Sequence, residues 1–276
     1  MKYLRLLIIV LFIAALGIGN LSAQILNGMS LNGATGLYSI PTGRIGWGQP
    51  SNVALDLGYH AIIVEGHAAH IPKVALNLYR WVELSTAFDI QPVRYFGTAD
   101  IDGNIDSRRG VDLIGGAKVQ FPLAVTSLAL GGNFQAINLG SSRYSYNAGQ
   151  IYLATTYGGL FFNWPAETTM VVGKTFRQNQ SNSNIDFGMG FDLVLFPNAF
   201  SNYVHWVSDF SNFSYSMEAY GADAWSRGVL NTGIRFDLRV IPVFRRFKFI
   251  VDIVVVDALD HNRAFSMGTT FGMRMQ

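Results

Sequence analysis

The chain has 276 residues, half of them hydrophobic and 14% charged, and its formal net charge is +2. So small a basic excess excludes a nucleic-acid surface that works by counterion release. The lack of cysteine excludes a disulfide framework and any thiolate metal site.

Residues 1–23 read as a secretory signal peptide. Lys2 and Arg5 form a basic start, LLIIVLFIAALGIG is an uncharged apolar run, and small Ser22 and Ala23 precede Gln24, with cleavage expected after Ala23. The run falls short of the roughly 20 residues that a spanning helix needs. No cysteine follows it, so a cysteine-linked lipid anchor is excluded.

Residues 24–51 are expected to be a periplasmic lead-in. Their centre, TGLYSIPTGRIG at 35–46, is rich in glycine and ends near a basic residue, as a phosphate cradle does. A P-loop needs GxxxxGK[ST] between a strand and a helix. Here Arg44 follows Gly43, Ile45 replaces the hydroxyl residue, and the next regular element has the period of a strand. The stretch therefore reads as a turn-rich entry to the first strand, with Arg44 within reach of a lumen acid or a lipid headgroup.

Residues 52–276 alternate with a period of two, the period of a strand. In WVELSTAFDIQP, Val82, Leu84, Thr86, Phe88 and Ile90 point one way and Glu83, Ser85, Ala87, Asp89 and Gln91 the other. NIDFGMGFDLVLF and AFSMGTTFGMRM repeat the pattern. Short breaks, often with proline, fall near 79–81, 122–124, 163–166, 197–199 and 242–246. Longer polar ones fall at 98–109, 138–147, 177–184, 217–228 and 257–263, and the two kinds take turns along the chain. Short turns at one end and long loops at the other are the asymmetry of an outer-membrane barrel. The breaks predict strands near 52–63, 68–78, 82–92, 109–121, 125–137, 147–158, 167–177, 184–196, 200–213, 227–240, 246–257 and 264–275. An even count of about twelve puts both ends of the chain on the periplasmic side; an extra or merged hairpin would make it about fourteen or ten.

Alternation alone also suits a secreted β-sandwich, whose second face meets water. Three features favour an all-β transmembrane, antiparallel, up-and-down barrel. The strands have the length a tilted membrane strand needs. Tyr79, Trp81, Phe121, Phe161, Phe162, Trp164, Phe196 and Phe200 gather at strand ends, where an interfacial girdle would lie. Small and ionisable residues share the less apolar face.

That face assigns Asp56, Glu83, Asp89, Asp112, Lys118, Asp186, Asp192, Arg235, Asp237, Arg239 and Asp252 to the lumen, together with Lys73, Asp209, Lys248 and Arg274. Mixed signs suit either a lumen crosslinked by ion pairs or a polar path for a small solute. Twelve strands lie between a barrel filled by its own side chains and a wide water channel. Narrow conduction, closure by side chains and closure by the N-terminal segment are all compatible with that width.

No catalytic or metal site is expected. GxSxG is absent, and His67 and His70 have no acid cluster at ligand spacing. DIDGNID at 100–106 alternates oxygen ligands but lacks the later glycine and closing Glu of an EF-hand, so it reads as a solvated loop tip. No cofactor is expected.

GATGLYSIPTGRIGWGQPSNVALDLGYH resembles the start of the YjbH-type family of bacterial outer-membrane proteins, with Gly33, Gly36, Leu37, Pro41, Thr42 and Arg44 in the pattern. The resemblance implies outer-membrane placement and an association with exopolysaccharide production or export. Barrel-assembly machinery commonly reads a terminal aromatic; in the last strand Phe271 and Met273 would supply the apolar part of that signal. The expected function is a narrow porin-like channel or transporter for small solutes. The alternatives are a non-conducting structural or surface-interaction barrel whose loops meet an external ligand, and an accessory protein in envelope polysaccharide export. The expected partners are outer-membrane lipid and the barrel-assembly machinery.

Overall fold

The computed structural model describes residues 25, 27–47, 52–64, 67–96, 106–123, 125–139, 145–177, 184–213, 228–244, 247–259 and 263–275. The signal peptide, most of DIDGNID and much of the loops at 98–109, 138–147 and 217–228 lie outside the described residues.

Two short strands come first, β1 (Gly28–Met29) and β2 (Thr35–Gly36), paired with each other. Twelve long strands follow: β3 (Val53–Val64), β4 (His67–Leu78), β5 (Val82–Phe96), β6 (Asp106–Leu123), β7 (Thr126–Ile137), β8 (Tyr146–Phe161), β9 (Trp164–Arg177), β10 (Asp186–Val194), β11 (Val204–Ser211), β12 (Val229–Asp237), β13 (Lys248–Val256) and β14 (Ala264–Met275). Each pairs antiparallel with its sequence neighbours, and β14 pairs with β3 from Phe265↔Ile63 to Met275↔Val53, closing the ring. Closure leaves no open edge, so every strand finds its backbone partners within the sheet, as a barrel in lipid requires.

The alternation sorts the two faces as the sequence predicts. Along β7 the exposed Leu130 and Phe134 alternate with buried Ala129, Asn133 and Gln135. Along β14, exposed Phe265 and Met267 alternate with buried Ser266 and Thr270. A barrel with apolar side chains outside and polar ones inside suits lipid around it and a polar lumen.

At one end lie the connections after β4, β6, β8, β10 and β12; the first three are tight, as the sequence predicts, whereas those after β10 and β12 span nine and ten residues, as long as most of those at the other end. Two of the tight turns hold both central residues at positive φ, Tyr79 with Arg80 and Phe162 with Asn163, the twist that suits a tight hairpin. Tyr79, Trp81, Phe121, Phe161, Phe162, Phe196 and Phe200 are exposed at this end and form the aromatic band.

Two expectations change. The strand predicted over 200–213 is shorter, because Pro197–Phe200 forms one helical turn before β11. The segment expected as a periplasmic lead-in instead runs up inside the barrel and back. Every described residue from 25 to 47 is buried except Arg44, which is partly so. Two facts account for this. Arg44 is the only charged residue in that stretch, so burying it removes almost no charge from water. Its backbone N–H and C=O groups, short of partners of their own, find them on the polar wall. The wall in turn encloses more width than its own side chains fill.

Candidate functional site

The lumen and its inner hairpin form the site. The hairpin folds locally through the β1–β2 ladder, Ser30 N–H donating to Ala34 O at 2.8 Å, Leu31 N–H to Tyr38 O at 2.9 Å and Thr42 N–H to Thr35 O at 3.1 Å. Gly33 turns the chain with φ +89°, and a Cβ there would lie 2.7 Å from the Thr86 carbonyl oxygen of β5. Gly43 passes closer still to the wall two strands along the ring: a Cβ would meet the Ser127 carbonyl oxygen of β7 at 2.3 Å. Side chains with a Cβ fit at neither point.

Wall groups on many strands hold the hairpin by its backbone. Lys118 on β6 donates to the carbonyls of Thr35 (2.9 Å), Thr42 (3.2 Å) and Arg44 (2.8 Å). Lys73 on β4 donates to the carbonyls of Met29 and Ser30, each at 3.0 Å, and to His60 Nδ1 at 2.8 Å. Glu83 on β5 accepts from Thr35 N–H at 2.8 Å and from the Thr35 hydroxyl. Asp209 on β11 accepts from the N–H groups of Tyr38 (2.8 Å) and Ser39 (2.6 Å) and from the Ser39 hydroxyl (2.7 Å). Thr156 on β8 accepts from Gly43 N–H, and Gln120 on β6 from Ile45 N–H. Trp47 Nε1 donates to Asp56 on β3 at 3.0 Å. Apolar contacts supplement these bonds: Leu31 and Tyr38 join Ile62, Ile71, Ile114 and Val254, while Leu37 and Ile40 join Tyr152, Val171 and Val207. Burial among these groups pushes the Tyr38 phenol above its ordinary pKa, so it stays neutral.

The wall charges pair with one another as well. Lys248 reaches Asp56 at 2.9 Å and Lys118 reaches Glu83 at 3.1 Å. Arg235 forks onto Asp252 (2.7 and 3.1 Å) and reaches Asp192 at 3.2 Å, while His205 Nδ1 lies 2.6 Å from Asp192. Buried charges persist where such partners and hydrogen bonds surround them.

The sequence-derived lumen residues thus fall into groups. Asp56, Glu83, Lys118, Asp192, Arg235 and Asp252 line the level that the hairpin occupies, and Lys73, Asp209 and Lys248 join them there. Asp89, Asp112 and Asp186 are buried nearer the long-loop end, accepting from Gln91 (3.0 Å), from Asn138 N–H (2.9 Å), and from Gln150 (2.7 Å) and Thr175 (2.5 Å). Asp237 ends β12 and caps the short 3-10 turn after it. Arg239 is a correction. The strand predicted to 240 ends at 237, so Arg239 stands on that turn at the rim, paired to Asp237 at 2.5 Å. Arg274 is also at the rim, 5.0 Å over the Trp47 ring.

The alternation did not single out Glu167, although its strand was expected to begin there. Glu167 on β9 is buried and meets Arg44, Nε to Oε1 3.0 Å, and it accepts from the Asn27 amide at 3.1 Å. Arg44 Nε makes no hydrogen bond along that line, so the contact is an ion pair rather than an aligned bond. Of the two reaches read for Arg44, the structure realises the one to a lumen acid.

A separate cavity of ≈ 440 Å³ lies on the outer face between Met189, Phe191, Trp206 and Phe210; its lining is apolar and it is no part of the lumen.

No family model matches the sequence, and no curated protein does. Among solved structures, the chain is similar to a KdgM porin in complex with disordered oligogalacturonate, at 8% identity and a TM-score of 0.47 over 80% of this chain and 99% of that one. It is similar to the outer membrane protein Omp33 of Acinetobacter baumannii, at 9% identity and a TM-score of 0.44 over 82% of this chain and all of that one. It is also similar to the translocator domain of the autotransporter NalP from Neisseria meningitidis, at 9% identity and a TM-score of 0.43 over 83% and 89% of the two chains. The barrel assignment stands on the closed hydrogen-bonded ring of this chain itself.

Proposed function

We propose that the protein is an integral outer-membrane barrel that passes small polar solutes in a porin-like way, and that the inner hairpin is its gate. The short-turn end, with both ends of the ring, faces the periplasm, and the hairpin enters from that side. One observation carries the reading: beside two apolar clusters, the backbone of a segment buried across the lumen is gripped by charged and polar wall groups on many strands, contacts that another hydrogen-bonding solute or water can replace. A hairpin built only to fill the barrel would gain more from apolar packing than from buried charges. The resemblance to YjbH-type proteins rests on hairpin residues, among them Gly33, Gly36, Pro41, Thr42 and Arg44, and is compatible with the same gate serving a saccharide.

Planar-bilayer recording of the refolded protein tests this. The native chain is expected to give brief, infrequent steps, and Gly43→Val, which cannot seat beside Ser127, long-lived ones. If neither chain conducts in any salt or voltage, the channel reading fails and a non-conducting barrel takes its place.

A further inference from the structure

We infer that the lumen, once the hairpin is displaced, selects cations over anions, so that the solutes it favours carry ammonium or guanidinium groups. The inference rests on the gated-channel reading and adds the class of solute.

Consider what each buried wall charge keeps when the hairpin leaves. Asp56 keeps Lys248, Glu83 keeps Lys118, and Asp192 and Asp252 keep Arg235. Two carboxylates lose most of their partners. Glu167 is held by the Arg44 guanidinium, the Asn27 amide and a backbone N–H of Ile25, all from the hairpin. Asp209 is held by two N–H groups and one hydroxyl of the hairpin and, among the described residues, by one wall group, the Asn231 amide at 2.8 Å. On the positive side Lys118 and Lys73 lose contacts to the hairpin, and all of these are neutral carbonyls; Lys118 keeps Glu83 on the wall, and His60 and the nearby Asp252 remain beside Lys73. Displacement therefore uncovers two carboxylates in need of a cation and removes the hairpin's one positive charge, Arg44.

The closed state already illustrates the chemistry. Arg44 places a guanidinium against Glu167, and Ser39 with its neighbour places N–H and O–H donors against Asp209. A permeating cation, shedding part of its hydration shell, would meet the same acceptors, as cations do in carboxylate-lined pores. The narrowness of a twelve-stranded lumen brings any such solute close to both.

Reversal potentials across a KCl gradient test the proposal. Openings of the native chain, or of Gly43→Val where native openings are too brief, are expected to favour K⁺ over Cl⁻ several-fold. Glu167→Gln with Asp209→Asn is expected to abolish most of that preference, and each single change to remove part of it. Should the double variant fail to fold, the native reversal potential and the single variants still decide. Anion preference, or a cation preference unchanged by both neutralisations, overturns the inference while leaving the channel reading intact. Absence of any conductance in the native chain and in Gly43→Val overturns both.

Discussion

Lys118 and Glu83 face each other across β6 and β5, Nζ 3.1 Å from Oε1, and each completes its bonding on the inner hairpin. Neither charge is exposed to water. Lys118→Met therefore strands the Glu83 carboxylate, and breaking such a buried pair costs on the order of 3–5 kcal/mol. Urea unfolding of the folded protein in detergent micelles measures it. Adding Glu83→Gln is expected to recover part of the loss, since a neutral amide tolerates the site better. A loss no larger than that of an exposed lysine would mean that the hairpin does not seat against this pair.

Seating is also open to a protease. Arg44 is the only tryptic site between residues 25 and 47, and it is largely buried. The native barrel in micelles is expected to resist trypsin at Arg44. Gly43→Val, whose side chain collides with the Ser127 carbonyl, is expected to be cleaved there at least about tenfold faster, as a segment opened by more than about 1.4 kcal/mol would be. Mass spectrometry of the digest reads the cut.

The absence of native cysteine permits a clean crosslink. A Cβ built on Gly188 of β10 would lie 2.9 Å from Ile40 Cγ2, so Ile40→Cys with Gly188→Cys brings the two thiols within bridging range. Oxidised, the double variant is expected to show no channel steps; reductant is expected to restore them. Conductance insensitive to oxidation, in protein shown to be bridged, would place the solute path away from the hairpin.

Outside the ring, Leu130 stands exposed near the middle of β7. If that face meets hydrocarbon, Leu130→Arg costs about 2–4 kcal/mol, as an arginine at mid-depth on a barrel's outer face does. Equilibrium folding into lipid vesicles measures the difference. A neutral result would mean that this face meets water.

Much of this architecture is legible in the residues. Period-two alternation places Glu83 and Asp89 inside and Leu84 and Phe88 outside, and the alternating break lengths give the strand count. Proline-containing breaks proved less reliable as boundaries: Pro122 and Pro165 lie inside β6 and β9, next to short turns where a missing N–H does little harm. What alternation cannot reveal is a segment with no period of its own. Residues 25–47 pass through glycine, proline and single hydroxyls, and their partners lie on strands far along the chain, as Tyr38 does from Asp209. Glu167 was missed for the same reason, since its role depends on Arg44. One sign was present: a run of more than twenty residues with a single charge, preceding a barrel rich in inward polar groups.

The position of that run in the chain has a consequence for assembly. The hairpin precedes β3, yet Tyr38 and Ser39 bond to β11, 171 and 170 residues away, and Gly28 packs against Arg235 of β12. Such distant partners make for slow, topology-limited folding. The hairpin thus lies in the chain ahead of every strand that holds it, including the β14–β3 seam that closes the ring around it. Its wall contacts are therefore complete only once β11 and β12 have joined the sheet, and a chain that mispositions it, such as Gly43→Val, is expected to close around an unblocked lumen.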